Sequence, residues 1–305
     1  MKTMHDNPFA AFLQHLHALE RSPATIKAYA SDLRHFQDWF TSINDEPLTP
    51  QNVTGVDLQA YRRHLLTKGK SPATVNRHLA SVRAWLRWAK KQGALEQVPE
   101  VNGVRKQNLA PRWLTPKEEM RLLRTAERAK RVTDPVLHFL AVRDWAMLIL
   151  LLHTGLRAAE IVSLRLEDVV LRPRSGHLTV QGKGQKQRVV PLNRAARQAL
   201  TEWLSLRKER VTEGATPFVF VGQKWTQRKP LAPSTLWRAF HKIAHAAGVE
   251  ASPHALRHTL AKRLVDRGVG LEKIAALLGH ESLDTTRRYI EPSAEDLRDA
   301  VSLLE

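Results

Sequence analysis

Four stretches in the last half of this 305-residue chain carry side chains able to hold an oxyanion or move a proton. The first is Thr154-Gly155-Leu156-Arg157-Ala158-Ala159-Glu160, where an arginine follows a glycine break directly after a very apolar segment. An arginine beside a core needs a partner, and Glu160, three residues on, can share its helical face. On this stretch alone, a structural ion pair and an oxyanion clamp fit equally well. The second is Gly182-Lys183-Gly184-Gln185-Lys186, a turn signal whose Lys183 would ordinarily be solvated, and Lys186 or Arg188 would serve an electrostatic role almost as well. The third is Ser252-Pro253-His254-Ala255-Leu256-Arg257-His258, in which His254 and Arg257 project from one helical face. The fourth is Leu278-Gly279-His280, followed nine residues after the histidine by Tyr289, itself preceded by Arg287 and Arg288. A guanidinium offers permanent charge and directed donors, an imidazole accepts a proton near neutrality, and a phenol, with a pKa near ~10, needs help to lose its own.

The elements that must position these groups are mostly helical. Apolar residues recur at Phe9, Phe12, Leu13, Leu16 and Leu19, then at Ile26, Tyr29, Leu33, Phe36 and Phe40, with three-and-four spacing. Val56 to Leu66 is a shorter, less regular third stretch. A fourth helix carries Val75, Leu79, Val82, Leu86 and Ala89 on its stripe. Ser22-Pro23-Ala24-Thr25 and Ser71-Pro72-Ala73-Thr74 open two of these helices, Ser as cap and Pro at the first helical position. The fourth helix turns Asn76, Arg77, Arg83, Arg87 and Lys90 away from its stripe, suited to a major groove and its flanking phosphates, though a solvated face fits nearly as well. Lys27 and Arg34 join them as candidate DNA contacts, with Lys186, Arg188 and Arg287 from the later half. Glu96 to Arg112 breaks the periodicity. Two domains are expected, at 1–98 and 113–305 around a linker at 99–112, the second opening on the capping box Thr115-Pro116-Lys117-Glu118. His177–Gln181 and Gln187–Pro191 predict a hairpin, Phe218–Val221 a further strand, and Trp145–Leu152 a buried helix. Helices are expected at Ala195–Arg210, Ser234–Ala247, Pro253–Arg267, Leu271–Leu278 and Leu283–Tyr289, with a last short one from Ala294. The fold class is mainly α with a small antiparallel sheet.

Charge names the partner's class. Lys and Arg outnumber Asp and Glu 48 to 30, a formal +18, with 15 against 9 in residues 1–110 and 33 against 21 in the rest. An excess shared by both halves suits a long polyanion such as DNA better than a small metabolite. Cysteine is absent, which excludes disulfide and thiolate chemistry. No run approaches the roughly eighteen unbroken apolar residues of a membrane span, and no secretion signal is apparent, so a cytoplasmic, nucleoid-associated protein is expected.

Arg157, Lys183, His254-x-x-Arg257, His280 and Tyr289, in this order, resemble the active site of the tyrosine recombinases of the phage integrase family. The flanks agree: Gly-Leu-Arg with Glu160, Gly-Lys-Gly before Arg-Val-Val-Pro-Leu, Leu-Arg-His-Thr around Arg257, and Leu-Gly-His with Asp-Thr-Thr before the tyrosine. The helical N-terminal half with its Ser-Pro-Ala-Thr openings is similar to the core-binding domain, particularly of Xer-type members. The resemblance implies site-specific recombination through a 3′-phosphotyrosine on Tyr289. Arg157 and Arg257 would clamp the phosphate, His254 would take or orient the phenol proton, Lys183 would protonate the leaving 5′-oxygen, and His280 would donate to the phosphate, with Glu160 behind Arg157. Because the phosphotyrosine keeps the energy of the broken bond, no ATP, metal or other cofactor is expected. The resemblance further implies a homo- or hetero-tetramer on two DNA sites with inverted half-sites, with a partner recombinase or DNA translocase as accessory. The final helix, with Leu297, Ala300, Val301 and Leu304 on its stripe, would dock on a neighbouring protomer. Chromosome or plasmid dimer resolution and mobile-element integration are both open, since Ile290-Glu291-Pro292-Ser293 departs from the commonest Xer pattern after the tyrosine.

Three rivals stand beside this reading. His241 with His245 and His254 with His258 have the spacing of metal ligands but lack the glutamate of H-E-x-x-H. A type IB topoisomerase uses the same chemistry. A DNA-binding relative without catalysis would keep the fold. Of the other two tyrosines, Tyr29 and Tyr61 fall in the N-terminal helices, where core packing is expected.

Overall fold

A computed structural model describes residues 7–105, 112–182, 187–222, 229–280, 282–287 and 301–302. The chain divides into two compact units at Leu109/Ala110.

Among the described residues, unit 1 has four α-helices, α1 (Ala10–Ala18), α2 (Pro23–Asn44), α3 (Gly55–Thr67) and α4 (Pro72–Lys91), with a short 3-10 turn at Pro50–Asn52. The Ser22 and Ser71 hydroxyls accept from the Thr25 and Thr74 amides, so both Ser-Pro-Ala-Thr openings are caps. Phe12, Leu16, Leu33, Phe36, Phe40, Val75, Leu79, Val82 and Leu86 all enter one core, while Leu19, expected on the first stripe, is 52% exposed beyond the end of α1. Tyr61 is fully buried in that core, its hydroxyl between the Nδ1 atoms of His35 and His78 at 3.0 Å each, and burial pushes its phenol well above the ordinary range. Val101 also lies in this core, and Asn76 grips the Val104 backbone from both sides. The first part of the segment expected as a linker therefore packs on unit 1.

Unit 2 is built around α6 (Pro135–Thr154). Asp134 caps it by accepting from the Val136 and Leu137 amides, and it buries every residue from Ala146 to Leu152. By length and composition α6 would qualify to cross a membrane, but most of its apolar residues, Phe139, Val142 and Ala146 to Leu152 among them, are buried in the core of unit 2, while Val136 and Leu137 in its first turn are exposed. Before it comes α5 (Pro116–Ala129), with the Thr115–Glu118 capping box formed, and after it α7 (Ala158–Ser163). A three-stranded antiparallel sheet follows in the order β1 (Val169–Leu171), β2 (Gly176–Gln181), β3 (Gln187–Pro191). The chain continues through α8 (Arg194–Arg210), α9 (Pro233–Ala246), α10 (Pro253–Asp266), α11 (Leu271–Leu278) and α12 (Asp284–Arg287).

Two strand expectations need correction. Phe218–Val221 forms only an isolated bridge, Phe218 to Arg165. The carbonyls that would extend a ladder are taken by side chains, Val219 O by the Trp203 indole and Val221 O by Arg143. Conversely β1 was not foreseen, because three residues ending at Arg172-Pro173 are too short to show alternation.

Candidate active site

The end of α11 assembles the site. A helix leaves its last carbonyls without intrahelical partners, and its dipole makes that end negative. Here three successive carbonyls each receive a guanidinium. Leu277 O accepts from Arg188 Nε at 3.2 Å, Leu278 O from Arg257 Nη2 at 2.6 Å, and Gly279 O from Arg157 Nη2 at 3.0 Å. Arg257, 5% exposed, also donates through Nη1 to Gly155 O, the carbonyl just past the end of α6. Both helix ends close on a left-handed glycine, Gly155 at φ +64° and Gly279 at φ +66°. A Cβ on Gly279 would lie 2.8 Å from Arg188 Nη1, and one on Gly155 would strike Leu278 and Leu260.

Glu160 binds the arginines to one another. As the third residue of α7 it accepts the Arg157 backbone N–H at 2.8 Å, takes Arg157 Nη1 at 3.0 Å, and receives Arg188 in a two-pronged pair at 3.0 and 2.8 Å. Burial works against its carboxylate, but the bonds from Arg188 and the Arg157 amide outweigh burial and hold its pKa below the ordinary value. Arg157 stays 42% exposed, so the face not turned to Glu160 and Gly279 is open.

Both histidines sit in the field of these cations. Burial, then Arg257, then Arg157, lower the pKa of His254. The same causes in the same order, with smaller additions from His258 and Arg188, lower His280 to about 4. Both imidazoles are therefore neutral at pH 7. His280 Nδ1 is 2.8 Å from the hydroxyl of Thr286, a fully buried residue of α12, and the Trp237 ring of α9 stands edge-on to His254 at 6.2 Å.

The structure thus brings Arg157, Arg257, His254, His280 and Glu160 together. Lys183, Lys186, Tyr289 and most of the final helix from Ala294 lie outside the described residues. Arg287 is exposed on α12, two positions before the tyrosine. Arg188, expected at DNA, has a side chain that is 14% exposed, and each of its three guanidinium nitrogens donates once, to Glu160 or Leu277 O. Thr286 enters the sequence reading only within Asp-Thr-Thr, with no role assigned, and Trp237 does not enter it at all. Nothing local marks a threonine as the partner of a histidine six residues away.

In unit 1, Lys27, Arg34, Arg87 and Lys90 are exposed and Arg83 is half-buried. Asn76 needs correction, because both ends of its amide are held by Val104 at 2.8 Å, leaving it a strap and not a reader of bases. Arg77, half exposed, pairs at 2.6 Å with Asp32, a carboxylate 1% exposed that also accepts from Ser81.

The arrangement matches known proteins along the chain. Residues 112–296 match the phage integrase family, and residues 9–93 match the phage integrase N-terminal SAM-like domain. The tyrosine recombinase XerC of Corynebacterium glutamicum is 34% identical over 304 residues, covering 95% of this chain and 88% of that one. XerA of Pyrococcus furiosus is 29% identical over 301 residues, covering 98% and 94%. The fold resembles that of the XerH site-specific recombinase bound to palindromic difH substrate in a post-cleavage complex, with a TM-score of 0.72, 23% identity, and 92% and 80% of the two chains covered. The family match spans more than half of the chain, so it settles membership: the chain belongs to the phage integrase family and is a Xer-like tyrosine recombinase, an enzyme that cleaves and rejoins DNA.

Proposed function

We propose that Tyr289 is the nucleophile and that Arg157, Arg257, His254, His280 and Lys183 divide the work of transferring a phosphoryl group to it and away again. The phenol oxygen attacks the scissile phosphorus, the bond from phosphorus to the 5′-oxygen breaks, and its electron pair stays on that oxygen. The phenol proton passes to His254, whose neutral imidazole, kept so by burial and two nearby guanidiniums, is free to accept it. Lys183 protonates the 5′-oxygen. The charge that grows on the non-bridging oxygens falls to Arg157 and Arg257, whose guanidiniums are held at the end of α11 by the carbonyls of Gly279, Leu278 and Gly155 and by Glu160. His280, whose Nδ1 shares a 2.8 Å hydrogen bond with the Thr286 hydroxyl, gives a further hydrogen bond to phosphate from Nε2. Another strand's 5′-hydroxyl then reverses the steps.

The observation that carries this reading is the meeting of two arginines and two neutral histidines around the end of α11. Lys27, Arg34, Arg83, Arg87 and Lys90 would lie on DNA phosphates from the N-terminal domain. Residues 1–98 and 113–305 would act as core-binding and catalytic domains, with the final helix docking on a neighbouring protomer in a tetramer on two sites. A palindromic site, like that in the XerH complex, offers each protomer of a pair the same half-site. The enzyme would act in the cytoplasm, on the nucleoid.

A nicked suicide substrate tests the central claim. The wild type should yield a covalent protein–DNA adduct that Tyr289→Phe abolishes while binding is kept. An adduct that survives Tyr289→Phe sinks it.

A further inference from the structure

Arg188 is the one guanidinium at the end of α11 to which the reaction above gives no task. It is also the best anchored. Its guanidinium bonds reach two separate elements, the Glu160 carboxylate on α7 and the Leu277 carbonyl on α11, while its own backbone belongs to β3. In the β2–β3 ladder it pairs with Val180, one rung inside the last pair, Gln181 with Gln187. Its neighbours in the strand, Gln187 and Val189, face solvent, Val189 at 63% exposure. At its outer end the hairpin is therefore fastened to the domain by the buried Val180 and by Arg188. Lys183 stands five residues before Arg188 in the sequence, between β2 and β3 and outside the described residues.

We propose that Arg188 is a positioning residue for protonation of the leaving group: by bridging Glu160 and the Leu277 carbonyl it holds the base of the hairpin that delivers Lys183. The inference rests on the assignment of Lys183 as proton donor. It explains why the pair is two-pronged, since a planar fork fixes direction as well as distance and a lysine's single ammonium cannot. It also gives Gly279 a second reason to lack a side chain, as a Cβ there would push on the Arg188 guanidinium. Arg157 keeps Glu160 and Gly279 O when Arg188 is removed, so the phosphate clamp should survive the loss.

The leaving group can be made independent of the acid. In a nicked suicide substrate whose scissile phosphate carries a bridging 5′-sulfur, the P–S bond breaks and a thiolate departs. A thiol, with a pKa of roughly 8.5, needs no proton to leave. On the ordinary oxygen substrate, Arg188→Gln and Lys183→Ala should each slow single-turnover cleavage by about 100-fold, and Arg188→Lys by less. On the sulfur substrate all three should cleave within about threefold of wild type, whereas Arg257→Gln stays slow on both because its role is at the phosphate. A defect of Arg188→Gln that is equal on the two substrates, with Lys183→Ala rescued, overturns the proposal, as does an Arg188→Gln enzyme of wild-type rate. Failure of sulfur to rescue Lys183→Ala overturns the assignment of Lys183 itself, and the proposal falls with it. If Arg188→Gln does not fold, judged by its melting and DNA affinity, the same comparison is made with Arg188→Lys.

Discussion

Two imidazoles held neutral among guanidiniums give this protein a signed pH dependence. His254 and His280 both have pKa values depressed on folding, His280 to about 4 against 6.5. Between those values the unfolded chain binds more protons than the folded one, so stability must fall as pH drops from about 6.5 toward 4. Denaturant midpoints taken at pH 7 and pH 5 should show that loss, and His280→Asn should shrink it; an unchanged difference would refute the assignment. The same depression keeps His254 ready to accept a proton, so cleavage at subsaturating DNA should stay flat from pH 8 to below 6.5. An acidic limb centred at 6.5 or higher contradicts it. Residue types at this site were legible in the sequence because Arg157, His254, Arg257 and His280 stand in short motifs with a fixed order. The partnerships were not. Arg188 meets Glu160 across 28 positions and Leu277 across 89, and only the fold makes those separations short.

At the scale of elements, helix ends do more than helix middles. Gly155 and Gly279 each close a helix in a left-handed turn and admit a neighbour where a Cβ would be. Gly155→Ala should cost about 2–4 kcal/mol of unfolding free energy, from the left-handed backbone and from overpacking against Leu278 and Leu260. Gly279→Ala, at the same left-handed backbone, would push on the anchored Arg188 guanidinium and should cost about 1–3 kcal/mol in stability while reducing cleavage more severely. Thermal melts beside adduct formation separate the two effects. Helices were legible from apolar spacing because each stripe meets one core, and the Ser, Thr and Asp caps announced their starts. The failures fall where tertiary bonding overrides local pattern. Phe218–Val221 has a strand's composition but gives its carbonyls to Trp203 and Arg143, and Asn76 points from a basic helix yet fastens Val104.

For the whole molecule, a charge of +18 spread over both units means that DNA affinity is governed by released counterions. Binding measured from 50 to 200 mM salt should weaken steeply, and Arg87→Ala or Lys90→Ala should each lower the slope of log affinity against log salt by about 1. Asn76→Ala should leave that slope alone and lower the melting temperature, and a slope change would restore it to the DNA surface. The end of α11 has a wider consequence. Arg188, Arg257 and Arg157 each donate to one of three successive carbonyls, those of Leu277, Leu278 and Gly279, and His280 follows directly, so all four proposed roles share one short stretch of backbone. A shift of about 1 Å there is enough to cost roughly 100-fold in rate, and it would disarm acid, clamp and phosphate donor in one movement. Under the proposed roles, these groups would gain or lose their alignment together.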